Sequence, residues 1–126
     1  MKHNILGVLL MVKNEEQSIK TTLNSLKNKI NQVIVYDTGS TDKTIEIIET
    51  TCKENNQQLH LKKGVFTSFP ESRNESIQFA ETVDVDFLVL MDAGDELQLS
   101  MSMKNIVTQL KIIPKTIHFG IINLKW

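Results

Sequence analysis

The sequence predicts an α/β fold, a mostly parallel sheet with helices on both faces. Short apolar runs suited to strands alternate with segments whose apolar residues recur at helical spacing. The first apolar run is nearly continuous, which is typical of a parallel strand covered on both sides. Because each parallel strand is reached by a crossover that is usually a helix, the alternation favours parallel pairing. The predicted order along the chain is βαβαβαβαβ.

Two strand–helix pairs are predicted in the first part of the chain. Residues 5–12 form the first strand, and Glu15 and Glu16 lie where the first turn of the next helix favours negative charge. The apolar face of that helix consists of Ile19, Leu23, Leu26 and Ile30. Residues 33–36 form a second, β-branched strand. The apolar face of the helix after it consists of Ile45, Ile48 and Cys52.

The remaining elements are predicted with the same reasoning. Residues 57–61 form a weak third strand, and Pro70 suits the first turn of a helix that runs through Ala80. Residues 87–91 form a fourth buried strand. Beyond it, a helix is predicted at residues 103–113 and a strand at residues 116–122.

Composition narrows the class of protein. The chain has 126 residues, a formal net charge of −1 and scattered basic residues, so nucleic acid and anionic membranes are not expected as main partners. Its single cysteine, Cys52, excludes an internal disulfide and suits a reducing compartment. No apolar run is long enough to cross a bilayer. We expect a soluble, cytoplasmic chain that forms a single domain over residues 1–126.

The segment Asp37–Thr38–Gly39–Ser40 has two interpretations. It matches the catalytic signature of aspartic proteases, which are all-β and need two such aspartates close together. Here the segment follows a strand and precedes helical periodicity, which favours a strand–turn–helix junction instead. For Ser40 and Asp42 we expect a capping role at the next helix, whereas Asp37, on its apolar strand, is expected to be functional.

Polar clusters follow three of the predicted strands. Residues 13–15 follow the first strand, Asp37 ends the second, and Asp92 ends the fourth. Ligands of open parallel sheets bind at the carboxyl ends of the strands, where the order of connection reverses. The three clusters are therefore expected to converge on one ligand site.

An acidic loop and an arginine add possible chemistry to this site. Asp92, Asp95 and Glu96 come directly after a buried strand, and such carboxylates suit Mg²⁺ or Mn²⁺ bridging to substrate phosphates. The alternative is an acidic helix N-terminus. Arg73, next to Asn74 near the start of a helix, is suited to holding a diphosphate. The alternative is a solvated arginine paired with a neighbouring glutamate, Glu71 or Glu75.

Four segments, in this order and spacing, resemble the N-terminal half of a family-2 glycosyltransferase of the GT-A fold. They are MVKNEEQSIKTTLNSL, VIVYDTGSTDKTIEII, FPESRNESI and FLVLMDAGDEL. The resemblance implies a Rossmann-like fold that binds a nucleotide-diphosphate sugar, commonly a UDP-sugar. It also implies transfer of the sugar to an acceptor with a divalent metal, Mn²⁺ or Mg²⁺.

The resemblance also implies roles for individual residues. Val12, Lys13, Asn14 and Glu15 would line the nucleotide pocket, with Glu15 near the base or ribose. Asp37 would accept a hydrogen bond from the uracil N–H, and Arg73 and Asn74 would contact the diphosphate. Asp92 would begin the Asp-x-Asp metal motif. Gly94 stands where that motif has its second aspartate, so Asp95 is the expected second ligand.

Length is the second departure from the family pattern. Family members usually continue into an acceptor-binding half that supplies the catalytic base, and this chain has no candidate for that base. Two hypotheses follow: a glycosyltransferase acting as a short form, a homodimer or a fragment, and a non-catalytic nucleotide-sugar-binding module completed by a partner or a C-terminal half. A sugar-phosphate nucleotidyltransferase is disfavoured, because residues 11–16 contain neither glycine nor arginine. The sugar and the acceptor are not predicted.

Overall fold

The structure is a computed structural model that describes residues 6–97. The elements in this range are β1 (Leu6–Val12), α1 (Ile19–Ser25), β2 (Gln32–Asp37), α2 (Thr44–Glu54), β3 (Gln58–Lys63), α3 (Phe69–Glu81) and β4 (Phe87–Met91). The helix predicted at residues 103–113 and the strand predicted at residues 116–122 lie outside the described residues. Within the described range, no helix combines the length and the apolar character needed to span a bilayer.

The four strands form one parallel sheet in the order β3-β2-β1-β4. This confirms the predicted fold class. β1 lies between two other strands, and its nearly continuous apolar run is explained by burial on both faces of the sheet. Val12 at the end of β1 is in register with Asp37 at the end of β2, so the two strands finish side by side.

Helices cover both faces of the sheet, as predicted. On one face, α1 and α2 pack over Val8 and Leu10 of β1 and over Val33 of β2. On the other face, α3 packs over Leu9 and Ile34 in a smaller cluster. Alternate residues of β1 thus face opposite cores, as the two-residue period of a strand requires.

Cys52 lies in the core between α2 and the sheet and is 2% exposed. Burial raises the pKa of its thiol to about 11. A protonated, inaccessible thiol is unreactive, so Cys52 serves as an apolar core residue.

The boundaries of α1, β2 and β3 differ from the predicted ones. α1 ends at Ser25, before Leu26 and Ile30 of its predicted apolar face, and β2 extends one residue further at each end, to Gln32 and Asp37. α1 begins at Ile19 after a turn in which the Ser18 and Ile19 amides donate to the Glu15 carbonyl, so Glu15 and Glu16 precede the helix instead of forming its first turn. β3 runs from Gln58 to Lys63, because Gln57 instead closes the preceding turn: its amide donates to the Cys52 carbonyl. In the described sheet β3 is an edge strand, which pairs only with β2. Because edge strands tolerate lysine, β3 can include the lysines at its charged end.

Candidate functional site at the carboxyl edge of the sheet

The predicted polar clusters do converge on one edge of the sheet. Val12 pairs with Asp37, and Leu10 pairs with Met91, so the loops that follow β1, β2 and β4 leave the sheet together. The chain passes from β1 outward to β2 and β3 and then crosses back to β4 on the other side of β1. The strand order thus reverses beside β1, which is where open α/β sheets bind ligands.

Asp37 is 3% exposed, and its carboxylate organises the loop after β2. Its oxygens accept hydrogen bonds from the Gly39 amide at 3.3 Å, the Ser40 amide at 3.2 Å and the Ser40 hydroxyl. Gly39 has a φ of 123°, a conformation that residues with a side chain rarely adopt. The Ser40 amide also lies 3.3 Å from the second carboxylate oxygen, so it is shared between the two oxygens. These three donors make four contacts with a carboxylate that has about four acceptor positions, and the Ser40 amide needs only one of its two contacts.

Asn14 joins the loop after β1 to the loop after β2. Its side-chain oxygen accepts from the Thr41 amide at 2.7 Å and from the Asp42 amide at 3.3 Å. The backbone amide of Asn14 donates to the Ser40 hydroxyl at 2.9 Å. Its φ is 54°, in the left-handed region that asparagine tolerates better than most residues. The side-chain oxygen of this predicted pocket residue is thus engaged by protein backbone.

Three further hydrogen bonds tie the same loops together. The Glu15 amide donates to the Thr44 hydroxyl at 2.7 Å, the Glu16 amide donates to an Asp42 carboxylate oxygen at 3.3 Å, and the Lys43 amide donates to a Glu16 carboxylate oxygen at 3.1 Å. Burial acts to raise the pKa of Asp42, but hydrogen bonds from the Thr44 hydroxyl and the Thr44 and Glu16 amides outweigh it and lower that pKa. Asp42 is therefore held as a carboxylate.

The capping roles expected for Ser40 and Asp42 have different outcomes. Asp42 accepts from the Thr44 amide at 2.9 Å at the start of α2, but the N-cap position belongs to Lys43, so Asp42 bonds the first helical residue from one position before the cap. Ser40 does not cap α2, so that expectation is wrong. The turn places its hydroxyl between the Asn14 amide and the Asp37 carboxylate instead.

Arg73 extends from α3 toward the loop after β4. One of its terminal nitrogens lies 3.8 Å from an Asp92 carboxylate oxygen, and its guanidinium carbon lies 5.6 Å from the centre of the Phe69 ring. The side chain of Arg73 is 22% exposed, and its Nη1 is buried with no hydrogen-bond partner within residues 6–97. Asn74 follows on the exposed surface of the helix. A partly buried cation with an unused donor is suited to an anionic ligand.

The alternative pairing of Arg73 with a neighbouring glutamate is not what the structure has. Glu71 accepts from the Thr67 hydroxyl at 2.7 Å, and Glu75 accepts from the Tyr36 hydroxyl at 2.7 Å. The bond to Glu75 is the main reason that the pKa of Tyr36 is raised, with burial adding to it. Arg73 thus pairs with an acid of another element.

Asp92 and Asp95 form a tight turn. The Asp92 amide donates to an Asp95 carboxylate oxygen, and the Asp95 amide donates to the Asp92 carbonyl, both at 3.0 Å. The Asp92 side chain is 78% exposed. Asp95 therefore holds the turn, and Asp92 is the acid that projects into solvent.

Two side chains of α1 accept hydrogen bonds from the segment at this turn. The Gly94 amide donates to the Thr22 hydroxyl at 2.8 Å, and the Leu97 amide donates to the Ser25 hydroxyl at 2.9 Å. Reasoning from the sequence missed Thr22 and Ser25. Their spacing of three residues on one helix face was the signal that could have found them.

The carboxylates of this turn fit a divalent cation that takes its other ligands from a substrate. Asp92 and Asp95 offer the carboxylate oxygens that Mg²⁺ and Mn²⁺ prefer. In the part of the chain that the structure describes, no group of three or more His, Cys, Asp or Glu residues lies close enough to hold a metal ion. The residues therefore fit the arrangement in which one or two carboxylates hold the ion and substrate phosphates complete its coordination.

Comparison with known proteins agrees with this architecture. The sequence matches the family described as "Glycosyl transferase family 2" over residues 8–121. It is 34% identical over 79 residues to the SPbeta prophage-derived glycosyltransferase SunS of Bacillus subtilis (strain 168), a match that covers 63% of this chain and 18% of SunS. The chain thus corresponds to a small part of that relative.

Solved structures share the fold. The crystal structure of S. aureus TarS 1-349 in complex with UDP has a TM-score of 0.64 at 22% identity, covering 86% of this chain and 32% of that one. The crystal structure of M. tuberculosis glucosyl-3-phosphoglycerate synthase has a TM-score of 0.51 at 21% identity, covering 74% of this chain and 35% of that one. The parallel sheet with its helices is thus that of the GT-A fold. By the family match over most of its length, the chain belongs to glycosyl transferase family 2.

Proposed function

We propose that this chain forms the nucleotide-sugar-binding part of a metal-dependent glycosyltransferase that uses a UDP-sugar. The observation that carries the proposal is a buried acceptor and a cation at the same sheet edge, on opposite sides of β1. The acceptor is Asp37 at the end of β2, and the cation is Arg73 of α3, beside Asp92 in the loop after β4. A nucleoside diphosphate needs both, an acceptor for its base and a cation for its phosphates. That TarS was crystallised with UDP supports the choice of nucleotide.

In this proposal the base lies at the β1–β2 side of the site. One Asp37 oxygen accepts from the uracil N–H while the shared Ser40 amide keeps its bond to the other oxygen, and Glu15, half-buried in the loop after β1, lies near the base or ribose. The carbonyl of Val12 already accepts from the Thr38 amide and hydroxyl. Val12 therefore lines the base of the pocket without hydrogen-bonding to the nucleotide through this carbonyl. Lys13 is exposed on the same loop and has a charge suited to phosphate.

The diphosphate lies at the β4 side. The unused Nη1 donor of Arg73 binds phosphate oxygen, and exposed Asn74 extends this contact. Asp92, with Asp95 behind it, would hold Mn²⁺ or Mg²⁺ together with the diphosphate. A cation bound there would neutralise charge on the departing nucleotide. Arg73, beside Asp92, would stabilise the same charge.

The whole reaction is a proposal as well, because the chain spans only 18% of SunS. Neither the acceptor substrate nor the base that deprotonates it is assigned. Release of UDP from a UDP-sugar by this polypeptide would favour transfer over the alternative of a binding module completed by another segment. The expected homodimer and cytoplasmic location stay predictions, and sedimentation of the purified chain tests the first of them.

The test of the nucleotide site is calorimetric titration of UDP with and without Mn²⁺. Asp37→Asn and Arg73→Gln are each expected to weaken UDP binding about tenfold or more, because each removes a charge-assisted hydrogen bond. Asp92→Asn is expected to remove the Mn²⁺ enhancement.

Asp86→Asn is the matched control for Asp92→Asn, since Asp86 is exposed at the other end of β4. It should bind UDP as the unmodified chain does, with the same Mn²⁺ enhancement. UDP binding that is unchanged in both Asp37→Asn and Arg73→Gln would overturn the site assignment.

A further inference from the structure

Asn14 is the residue at which the two loops of the base-binding side meet. Its side-chain oxygen accepts from the backbone amides of Thr41 and Asp42. Its own backbone amide donates to the Ser40 hydroxyl. That hydroxyl in turn donates to the Asp37 carboxylate. A continuous chain of hydrogen bonds therefore runs from the end of β1 to the acceptor proposed for the base.

We infer that Asn14 is a positioning residue, which holds the loop after β2 and with it the Asp37 carboxylate proposed to accept from the nucleotide base. We call residues 14–16 and 40–44, with the hydrogen bonds between them, the loop clasp. This inference deepens the proposed function and rests on it for the identity of the ligand. It assigns Asn14 an indirect role, in place of the direct pocket contact expected from the sequence.

The chemistry of the side chain supports this assignment. An asparagine oxygen has two lone pairs, and the amides of Thr41 and Asp42 occupy both of them. The left-handed backbone at Asn14, with φ 54°, turns its own amide toward Ser40. Asparagine, aspartate and glycine tolerate that conformation better than other residues. Only asparagine and aspartate also supply the acceptor.

Ser40 completes the link, because one hydroxyl accepts from Asn14 and donates to Asp37. The donor to this hydroxyl is the Asn14 backbone amide, which any substitution at residue 14 other than proline keeps. The Asn14 side chain acts on Ser40 through the position of the turn, which it holds at Thr41 and Asp42. The other hydrogen bonds of the clasp do not involve Asn14. The Glu15 amide donates to the Thr44 hydroxyl and the Glu16 amide donates to the Asp42 carboxylate, so these bonds still hold the two loops together. Loss of Asn14 alone should therefore loosen the turn at residues 40–42 without unfolding the sheet.

The experiment compares Asn14→Gly with Asn14→Asp in the full chain. Glycine keeps the backbone conformation and removes the acceptor, whereas aspartate keeps both. Amide hydrogen exchange and a nuclear magnetic resonance titration with uridine are measured on each. Uridine is the probe because it lacks phosphate, so that the added charge of aspartate does not repel it.

In Asn14→Gly, exchange of the Thr41 and Asp42 amides should rise about tenfold while the amides of β1 stay protected, and uridine affinity should fall about fivefold. In Asn14→Asp, both quantities should stay within about twofold of the unmodified chain. Ser40→Ala serves as a second variant: exchange of the Asn14 amide should rise, and uridine affinity should fall as in Asn14→Gly.

Two results would overturn the inference. One is unchanged exchange at Thr41 and Asp42 in Asn14→Gly. The other is lost uridine affinity in Asn14→Asp with slow exchange retained, which would mean direct contact through the side-chain amide nitrogen. Failure of the unmodified chain to bind uridine would count against the proposed function, while the exchange measurements would still decide whether Asn14 holds the loop.

Discussion

Gly64 is a residue whose missing side chain makes room for another residue. A β-carbon at this position would lie 2.0 Å from the Tyr36 hydroxyl oxygen and 2.4 Å from the ring carbon that carries it. Tyr36 is 3% exposed and is hydrogen-bonded to Glu75, so the ring has little freedom to move away. The close approach lets Tyr36, the neighbour of Asp37, anchor α3 to the sheet.

Gly64→Ala is therefore expected to lower the free energy of unfolding by about 1–3 kcal/mol, the usual cost of overpacking. Urea denaturation measures this change. The matched control is the same substitution in a Tyr36→Leu background, where the obstructing ring end is absent and the additional loss should be much smaller. Equal losses in both backgrounds would show that contact with Tyr36 is not the cause.

At the scale of an element, α3 carries both the cation of the site and its aromatic support. Phe69 and Arg73 are four residues apart, so they lie on the same face of the helix, and the guanidinium rests over the ring. Phe69 is 60% exposed, so it contributes little to the core. Its position is explained better by the cation that it steadies than by burial.

Phe69→Leu is expected to weaken UDP binding about twofold to fivefold, since an exposed cation–π contact is worth roughly 0.5–1 kcal/mol. The melting temperature should change little. Phe69→Tyr should bind UDP as the unmodified chain does, because tyrosine keeps the ring face. Phe66→Leu is the matched control, an exposed phenylalanine in the loop before α3. A loss of affinity as large in Phe66→Leu as in Phe69→Leu would rule out a specific role for the ring.

At the scale of the whole molecule, the described residues 6–97 bury the two faces of the sheet unequally. The face under α1 and α2 carries most of the buried apolar side chains, whereas the α3 face is built around Leu9, Ile34, Ala80, Val85 and Leu88. Local opening costs least where the fewest apolar contacts are lost. α3, which carries Arg73, is thus the least firmly packed of the longer helices in residues 6–97.

Native-state hydrogen exchange is expected to show α3 opening at a lower free energy than α2 and β1. A saturating concentration of UDP with Mn²⁺ should slow exchange in α3 if Arg73 binds the diphosphate, because a ligand that binds the closed state stabilises it. Amides of α2, on the opposite face, are the internal reference. Protection of α3 equal to that of β1 without ligand would contradict the unequal packing.

The sequence by itself determined the order of strands and helices, the parallel sheet, and the arrival of Asp37 and Asp92 at one sheet edge. These features follow from local periodicity and from the rule that successive parallel strands end on the same side. The resemblance to family 2 also rested on sequence alone, and the family match confirms it. The boundaries of α1 and β3 were predicted less well, because contacts outside each segment decide them.

Only the tertiary structure decided which partners the polar groups take. Arg73 pairs with Asp92 of another element instead of with Glu71 or Glu75, and Thr22 supports Gly94 across 72 positions of sequence. Asn14 bonds to the backbone of a loop that follows a different strand. Local periodicity carries no information about such contacts, because they depend on how the strands lie beside one another and on the conformation of the loops between elements.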